Sequence, residues 1–180
     1  NGGFGGGGGG NRSASGTTGL GGFGGGNSDR SAAGGGAGMG GAIFNRGGSV
    51  TITNSTLSQN EAEGGYTFGG VATTGHSLGG AIFNLDGSVT IQFSTLSDNR
   101  VVPAPFGASP RTDGGAIFNK QLSSVATVQL NNTILANSTT GQSDLYNDGG
   151  AVAGTQTNIV ESNAAGVNGA PGAVLIAANG

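Results

Sequence analysis

"GGAIFN" occupies Gly40–Asn45, and the same six residues return at Gly79–Asn84 and at Gly114–Asn119. An identical hexapeptide three times in 180 residues marks an internal repeat, and a repeat decides the fold before any local signal does. The first copy continues "RGGSVTITNSTLSQN" and the second "LDGSVTIQFSTLSDN", so Gly40–Asn60 aligns with Gly79–Asn99 without a gap. The third, "KQLSSVATVQLNNTILAN", runs to Asn137 with extra residues after Asn119. One copy is therefore about 21 residues, too short to bury an apolar face by itself.

Within a copy, Val50 and Ile52 alternate with Thr51 and Thr53, as Val89 and Ile91 do with Thr90 and Gln92. That is the period of a strand, carried by β-branched residues. After a polar corner at Asn54 and Ser55 a second short strand holds Leu57, matched to Leu96 and, in the third copy, to Ile134. Three strands, around Ile43, Ile52 and Leu57, separated by Gly or Asn corners, make one coil of a parallel β-helix. Successive coils then stack about 4.8 Å apart.

Stacking predicts columns. Asn45, Asn84 and Asn119 should form one amide ladder and Asn60, Asn99 and Asn137 a second, since Asn tolerates left-handed backbone angles and its side chain can bond the next coil. Solvated turn residues are the alternative. Phe44, Phe83 and Phe118 should form an aromatic column, and Ile43, Ile82 and Ile117 an aliphatic one, with isoleucine taken as the inward column. Outward threonines are aligned as Thr51, Thr90, Thr127 and as Thr56, Thr95, Thr133.

Composition narrows the class. The 42 glycines argue against helix, where each costs roughly 1 kcal/mol relative to Ala. Only 8% of residues are charged and the net charge is -3, which gives no basic field for nucleic acid. No run approaches the roughly 20 apolar residues of a membrane helix, so membrane insertion is not expected. Cysteine is absent, which leaves the redox compartment undetermined. The chain begins with Asn1 rather than Met, which reads as a removed leader or a piece of a longer protein.

Residues 1–39 would pass for a flexible linker on glycine content alone. They repeat internally, however: "GGFGGGGGGNRSASG" at Gly2–Gly16 is similar to "GGFGGGNSDRSAAGG" at Gly21–Gly35. Phe4, Phe23 and Phe44 follow at intervals of 19 and 21, the coil length found downstream. The expectation is an ordered segment, either degenerate coils or packed polyproline II strands, with glycine allowing backbones to approach. The domain reading is 1–39 as glycine-rich coils packed on the solenoid and 40–163 as the parallel β-helix. Loop excursions are expected at 61–78 and 100–113, and 164–180 is read as a terminal apolar strand or end coil.

"GGAIFN" followed by "TITNSTLSQN" resembles the GGAI and Asn-rich repeats of the polymorphic outer-membrane protein group of bacterial surface proteins. "NNTILANSTTGQSDLYNDGGAVAGTQTNIVESN" is similar to the closing coil of bacterial right-handed β-helix proteins. The resemblance covers roughly Gly40–Asn137 and implies an all-β, single-stranded, right-handed parallel β-helix outside the cell, used for adhesion or surface architecture. The family's membrane-barrel domain has no counterpart in this chain.

Catalytic groups are scarce. The acidic residues fall at unrelated coil positions; Asp86 and Asp98 lie in one copy, but Gly47 and Gln59 stand in their places in the first. No enzyme and no cofactor is expected. His76 is the only histidine and has no companion ligand. Asp144, Asn147 and Asp148 in "SDLYNDGG" are the weak candidates for calcium, against a capped turn.

The expected function is a structural or adhesive β-solenoid that assembles head-to-tail into a surface filament. Phe4 and Phe23 at one end, and Val174, Leu175 and Ile176 at the other, are the candidate assembly residues. The alternatives are a fragment of a larger surface adhesin, an ice-binding solenoid, or a β-helix that binds or cleaves carbohydrate, with surface polysaccharide as its partner.

Overall fold

The computed structural model describes residues 1–10, 18–29, 31–67, 72–105, 111–140, 143–154, 157–161 and 174–176, the last three as backbone. Every regular element among them is a strand. The first pass of the chain carries β1 (Gly38–Met39), β2 (Ile43–Arg46), β3 (Ser49–Thr53), β4 (Thr56–Ser58) and β5 (Glu61–Glu63). The second carries β6 (Ser77–Leu78), β7 (Ile82–Leu85), β8 (Ser88–Gln92), β9 (Thr95–Ser97) and β10 (Arg100–Val102). The third carries β11 (Thr112–Asp113), β12 (Ile117–Lys120), β13 (Thr127–Asn131) and β14 (Ile134–Ala136). A fourth carries β15 (Leu145–Asp148), β16 (Ala151–Gly154) and β17 (Asn158–Val160), and β18 (Val174–Ile176) follows.

The strands sort by position in the repeat, not by order in the chain. Of the five sheets among the described residues, the three largest run β2-β7-β12-β15, β3-β8-β13-β16 and β4-β9-β14-β17-β18, with parallel pairing throughout, and the small ones are β1-β6-β11 and β5-β10. This is a parallel β-solenoid with three strands per coil. Its interior is four columns: Ile43, Ile82, Ile117, Leu145; Val50, Val89, Val128, Val152; Ile52, Ile91, Leu130, Gly154; and Leu57, Leu96, Leu135, Val160. These aliphatic side chains, with Ala81 and Ala116, form the core cluster. Each one fully buried contributes about 1.5–3 kcal/mol.

The hexapeptide can now be read residue by residue. Gly40, Gly79 and Gly114 hold φ of +68°, +66° and +66°, which a side chain disfavours. The second glycine lies against the neighbouring coil: a Cβ on Gly80 would sit 2.1 Å from the carbonyl oxygen of Gly115. At the alanine position the backbone carbonyl serves two donors, as the amides of Ala81 and Ile82 both bond the oxygen of Ala116 at 3.0 and 2.8 Å, and the small side chains of Ala81 and Ala116 are fully buried. Isoleucine points into the coil. Phenylalanine points the other way and stacks, and asparagine turns inward at the corner.

The chain divides into two compact units, and the solenoid unit comprises Gly40–Glu61, Gly79–Val101 and Asp113–Gly180. The other comprises Asn1–Met39, Ala62–Leu78 and Val102–Thr112. In its glycine segment the amides of Gly2, Gly5 and Gly8 donate to the carbonyls of Leu20, Phe23 and Gly26, a three-residue step on both sides. That step is the period of polyproline II, whose turns have no hydrogen bonds of their own and must find partners on neighbouring segments.

Gly8 donates to Gly26, Gly26 to Gly35 and Gly34 to Gly8, which ties three segments into a ring. Thr73 donates to Asn27 and Gly35 to Thr73, adding a fourth segment, and Gly65 with Gly36 and Gly75 a fifth. Ala62–Leu78 and Val102–Thr112, the greater part of the stretches 61–78 and 100–113 expected as loop excursions, belong to this unit. Small residues allow them in: a Cβ on Gly26 would lie 1.8 Å from the oxygen of Thr73.

Each "GFGG", Gly3–Gly6 and Gly22–Gly25, is a turn, closed by Gly6 on Gly3 at 2.8 Å and by Gly25 on Gly22 at 2.9 Å, with φ of +74° at Gly5 and +73° at Gly24. Buried Asp29 closes the next bend, accepting the amides of Ser31 and Ala32 on one oxygen and that of Ala72 on the other.

Candidate functional site

The functional features of a solenoid are its columns and its ends. Asn45 donates its amide to Oδ1 of Asn84 at 2.7 Å, Asn84 to Asn119 at 2.7 Å, and Asn119 to Asn147 at 2.8 Å. Each Nδ2 also bonds a corner carbonyl of its own coil: Gly48, Gly87, Ala126 or Gly150. Asn84 and Asn119 are fully buried, so these bonds hold the corners in the absence of water. Beside them Phe44, Phe83, Phe118 and Tyr146 stack at centroid spacings of 5.4, 5.7 and 5.5 Å with planes within 10°.

The second asparagine ladder is shorter than expected. Asn60 donates to Oδ1 of Asn99 through both its backbone and side-chain nitrogens, at 3.0 and 2.9 Å. Asn137 does not join them. The pairing sets Thr95 against Ile134 and Leu96 against Leu135, one residue away from the alignment made on the asparagines. Asn137 therefore shares the turn position of Gln59 and Asp98, all three with φ between +55° and +58°. The cause is the leucine column: a one-residue slip moves every side chain to the other face, so Leu135 inside forces Ile134 out, where it is 40% exposed.

The same register breaks the threonine columns. Gln129 stands opposite Thr90, while Thr127 aligns with Ser49 and Ser88. Thr133 is buried beside Asn158, whose Oδ1 accepts its amide at 3.0 Å. Ser55 and Ser94 show the same arrangement two coils earlier, since Ser94 Oγ accepts the amide of Ser55 at 3.1 Å. This corner column escaped the sequence reading because its members share only a small polar side chain.

The three calcium candidates are dispersed. Asn147 is the fourth rung of the amide ladder and Asp148 pairs with Lys120 at 3.1 Å. Asp144 is buried and accepts the amide of Ser138. No group of three or more His, Cys, Asp or Glu suited to a metal occurs among the described residues. Asp86 instead binds backbone, accepting the amides of Leu122, Ser123 and Ser124 at 2.7, 3.0 and 3.2 Å. Those bonds, Leu122's foremost, hold its carboxyl below the ordinary carboxylate value against the opposing desolvation; Arg46 nearby adds to the lowering. Arg100 pairs with Glu61 and, with Gln59, Asp98 and Thr139, lines a shallow polar cleft.

The ends differ in what they show. Phe4 and Phe23 stack on one another at 5.1 Å, within the glycine-rich unit. Val174, Leu175 and Ile176 pair with Asn158, Ile159 and Val160 and extend the third sheet by a strand. At the opposite edge of the solenoid, β2, β3 and β4 are each the outermost strand of their sheet. Phe44 is 46% exposed there, whereas Phe83 and Phe118 are fully buried. Ile43, Val50 and Leu57 are half-buried, and their counterparts Ile82, Val89 and Leu96 are fully buried.

No helix among the described residues is long and apolar enough to cross a membrane. Compared with family models, with curated proteins and with solved structures, the chain finds no match.

Proposed function

We propose that the chain is a structural module of a bacterial cell surface, a β-solenoid that joins further copies of itself head-to-tail through its first coil. The observation that carries the reading is the outer edge made by β2, β3 and β4, with Phe44 46% exposed and Ile43, Val50 and Leu57 half-buried where their counterparts are fully buried. An edge strand offers unpaired backbone donors and acceptors, and the usual safeguards against pairing are lysine, proline or a covering segment. Apart from Arg46, these three strands carry no charge and no proline.

A second copy is the occupant that fits. A coil laid against β2 must supply an aliphatic, an aromatic and an asparagine at successive positions, and β15 offers Leu145, Tyr146 and Asn147 in that order. The residue after them is Asp148, which would face Arg46. Contact between unlike ends repeats without closing and gives a fibre. The resemblance of the GGAIFN repeat to polymorphic outer-membrane proteins supports the placement at a surface. The proposal assigns no catalytic role and no cofactor.

Light scattering after size exclusion, with negative-stain microscopy, tests this. Rising mass with concentration and unbranched fibres are expected for the native chain, and one-chain particles for Phe44→Lys with Leu57→Lys, whose circular dichroism should stay native. A native chain that remains at one-chain mass through millimolar concentration, or a double variant that assembles equally well, sinks the proposal.

A second reading, contact with surface polysaccharide, is favoured by the cleft at Gln59, Asp98, Arg100 and Thr139, whose polar lining suits sugar hydroxyls. Oligosaccharide binding that weakens at least tenfold in Asp98→Ala is its expected sign, and unaltered binding in that variant removes it.

A further inference from the structure

The corner between the second and third strands of a coil turns on one residue with left-handed backbone: Asn54, Phe93 and Asn132, at φ of +49°, +50° and +49°. The ladder sets the correspondence, since the amide of Asn54 donates to the oxygen of Gln92 and that of Phe93 to the oxygen of Asn131, at 3.1 and 2.9 Å. Asparagine accommodates this conformation, whereas a bulky aromatic is an outlier in it. Phe93 is the one aromatic with positive φ among the described residues. Burial does not compensate: Phe93 is 57% exposed, and none of the ring stacks among the described residues includes it. Folding therefore favours asparagine at this corner, and the ring is held there for a contact outside the chain.

The surface beside it narrows the occupant. β3, β8 and β13 read SVTIT, SVTIQ and TVQLN, in register. Valine, isoleucine and leucine point inward, so every outward position holds a hydroxyl or a carboxamide. None of the three strands carries a charge, which matches a neutral partner, and the outward side chains lack the apolar centre of a protein interface. Thr53 and Gln92 end their strands just before the corner, and the backbones of Asn54 and Asn132 flank that of Phe93 at the coil spacing of about 4.8 Å. An aromatic ring amid uncharged hydroxyls and amides suits a sugar, whose C–H face lies on the ring while its hydroxyls bond at the rim.

We propose that Phe93 and the outward face of β3, β8 and β13 bind a neutral polysaccharide, with the ring as stacking platform and Asn54, Asn132, Thr53 and Gln92 as hydrogen-bonding groups around it. The site is separate from the cleft at Gln59, Asp98, Arg100 and Thr139, and it does not depend on head-to-tail assembly.

The full chain is run by affinity electrophoresis through gels containing xylan, galactomannan, dextran or hydroxyethyl cellulose, and is pulled down on insoluble cellulose and chitin. Retention by at least one polymer, with an apparent Kd below about 1 mM, is expected. Phe93→Asn should weaken that binding at least tenfold and at the same time raise Tm by about 2–4 °C, because it supplies the residue that the corner favours. Phe93→Tyr, which keeps the aromatic face, should bind within about threefold of the native chain. A merely structural role for the ring would lower Tm in Phe93→Asn and leave sugar binding alone. No retention on any of these polymers, or native binding by Phe93→Asn, overturns the proposal. Binding lost in Asp98→Ala but kept in Phe93→Asn assigns the sugar to the cleft instead, and a fall in oligomeric mass in Phe93→Asn without sugar retention assigns the ring to contact between copies.

Discussion

At the scale of the residue, the buried amides outweigh the visible charges. Asn84 donates to Gly87 and Asn119 and accepts from Asn45, with all of these bonds shielded from water. Truncation would strand three partners at once. Asn84→Ala is therefore expected to lower stability by about 3 kcal/mol in urea unfolding, and Asn45→Ala, at the outer rung, by about 1 kcal/mol. Equal losses would deny the ladder its cooperativity.

The Arg100–Glu61 pair, half exposed on the arginine side, contributes less than about 1 kcal/mol. Asp86 supplies a pH signature. Its folded-state pKa is depressed, so its stabilisation is complete above the unfolded value near 4 and disappears as pH falls through the folded value. The stability gap between the native chain and Asp86→Ala should be constant from about pH 5 to 8 and shrink below about pH 4 in urea titrations at each pH.

At the scale of the element, the two units use glycine differently. In the solenoid it serves a few corners, and the strands are built by β-branched alternation. In the glycine-rich unit it is the packing surface itself, because segments in a three-residue period approach until main-chain oxygens occupy the space a Cβ would need. Gly26→Ala is expected to disrupt that unit, seen as loss of amide hydrogen-exchange protection, since its Cβ would meet the oxygen of Thr73 at 1.8 Å. Gly9→Ala, with nothing within 4 Å, should change stability by no more than about 1 kcal/mol. A tolerant Gly26 would mean that the segments pack less closely than the hydrogen bonds require.

At the scale of the whole molecule, a chain stabilised by binding its own copies unfolds at a temperature that depends on concentration. Between about 1 and 100 µM the native chain should gain several degrees in Tm, and the Phe44→Lys, Leu57→Lys variant none. Calorimetry at both concentrations checks this. A concentration-independent Tm for the native chain would count against association through the first coil.

The repeat by itself determined the coil, its three strands and most of its columns, because a motif returning in register leaves stacking as the way to bury a face that no single copy can bury. The phenylalanine stack and the first amide ladder follow from the repeat, whereas alternation left open which of isoleucine and phenylalanine faces inward, and packing settled it on isoleucine. The third coil was misaligned at its asparagine because sequence similarity gives equal weight to a turn residue and a core residue. Packing does not: Leu135 takes the interior, and Ile134 and Asn137 fall where that choice leaves them. Tertiary structure alone decided that the presumed excursions join the glycine-rich unit. It likewise decided that the first coil forms the outer edge of the three largest sheets. Each depends on which backbone meets which across long stretches of chain, and glycine, having no side chain, writes no such preference into the sequence.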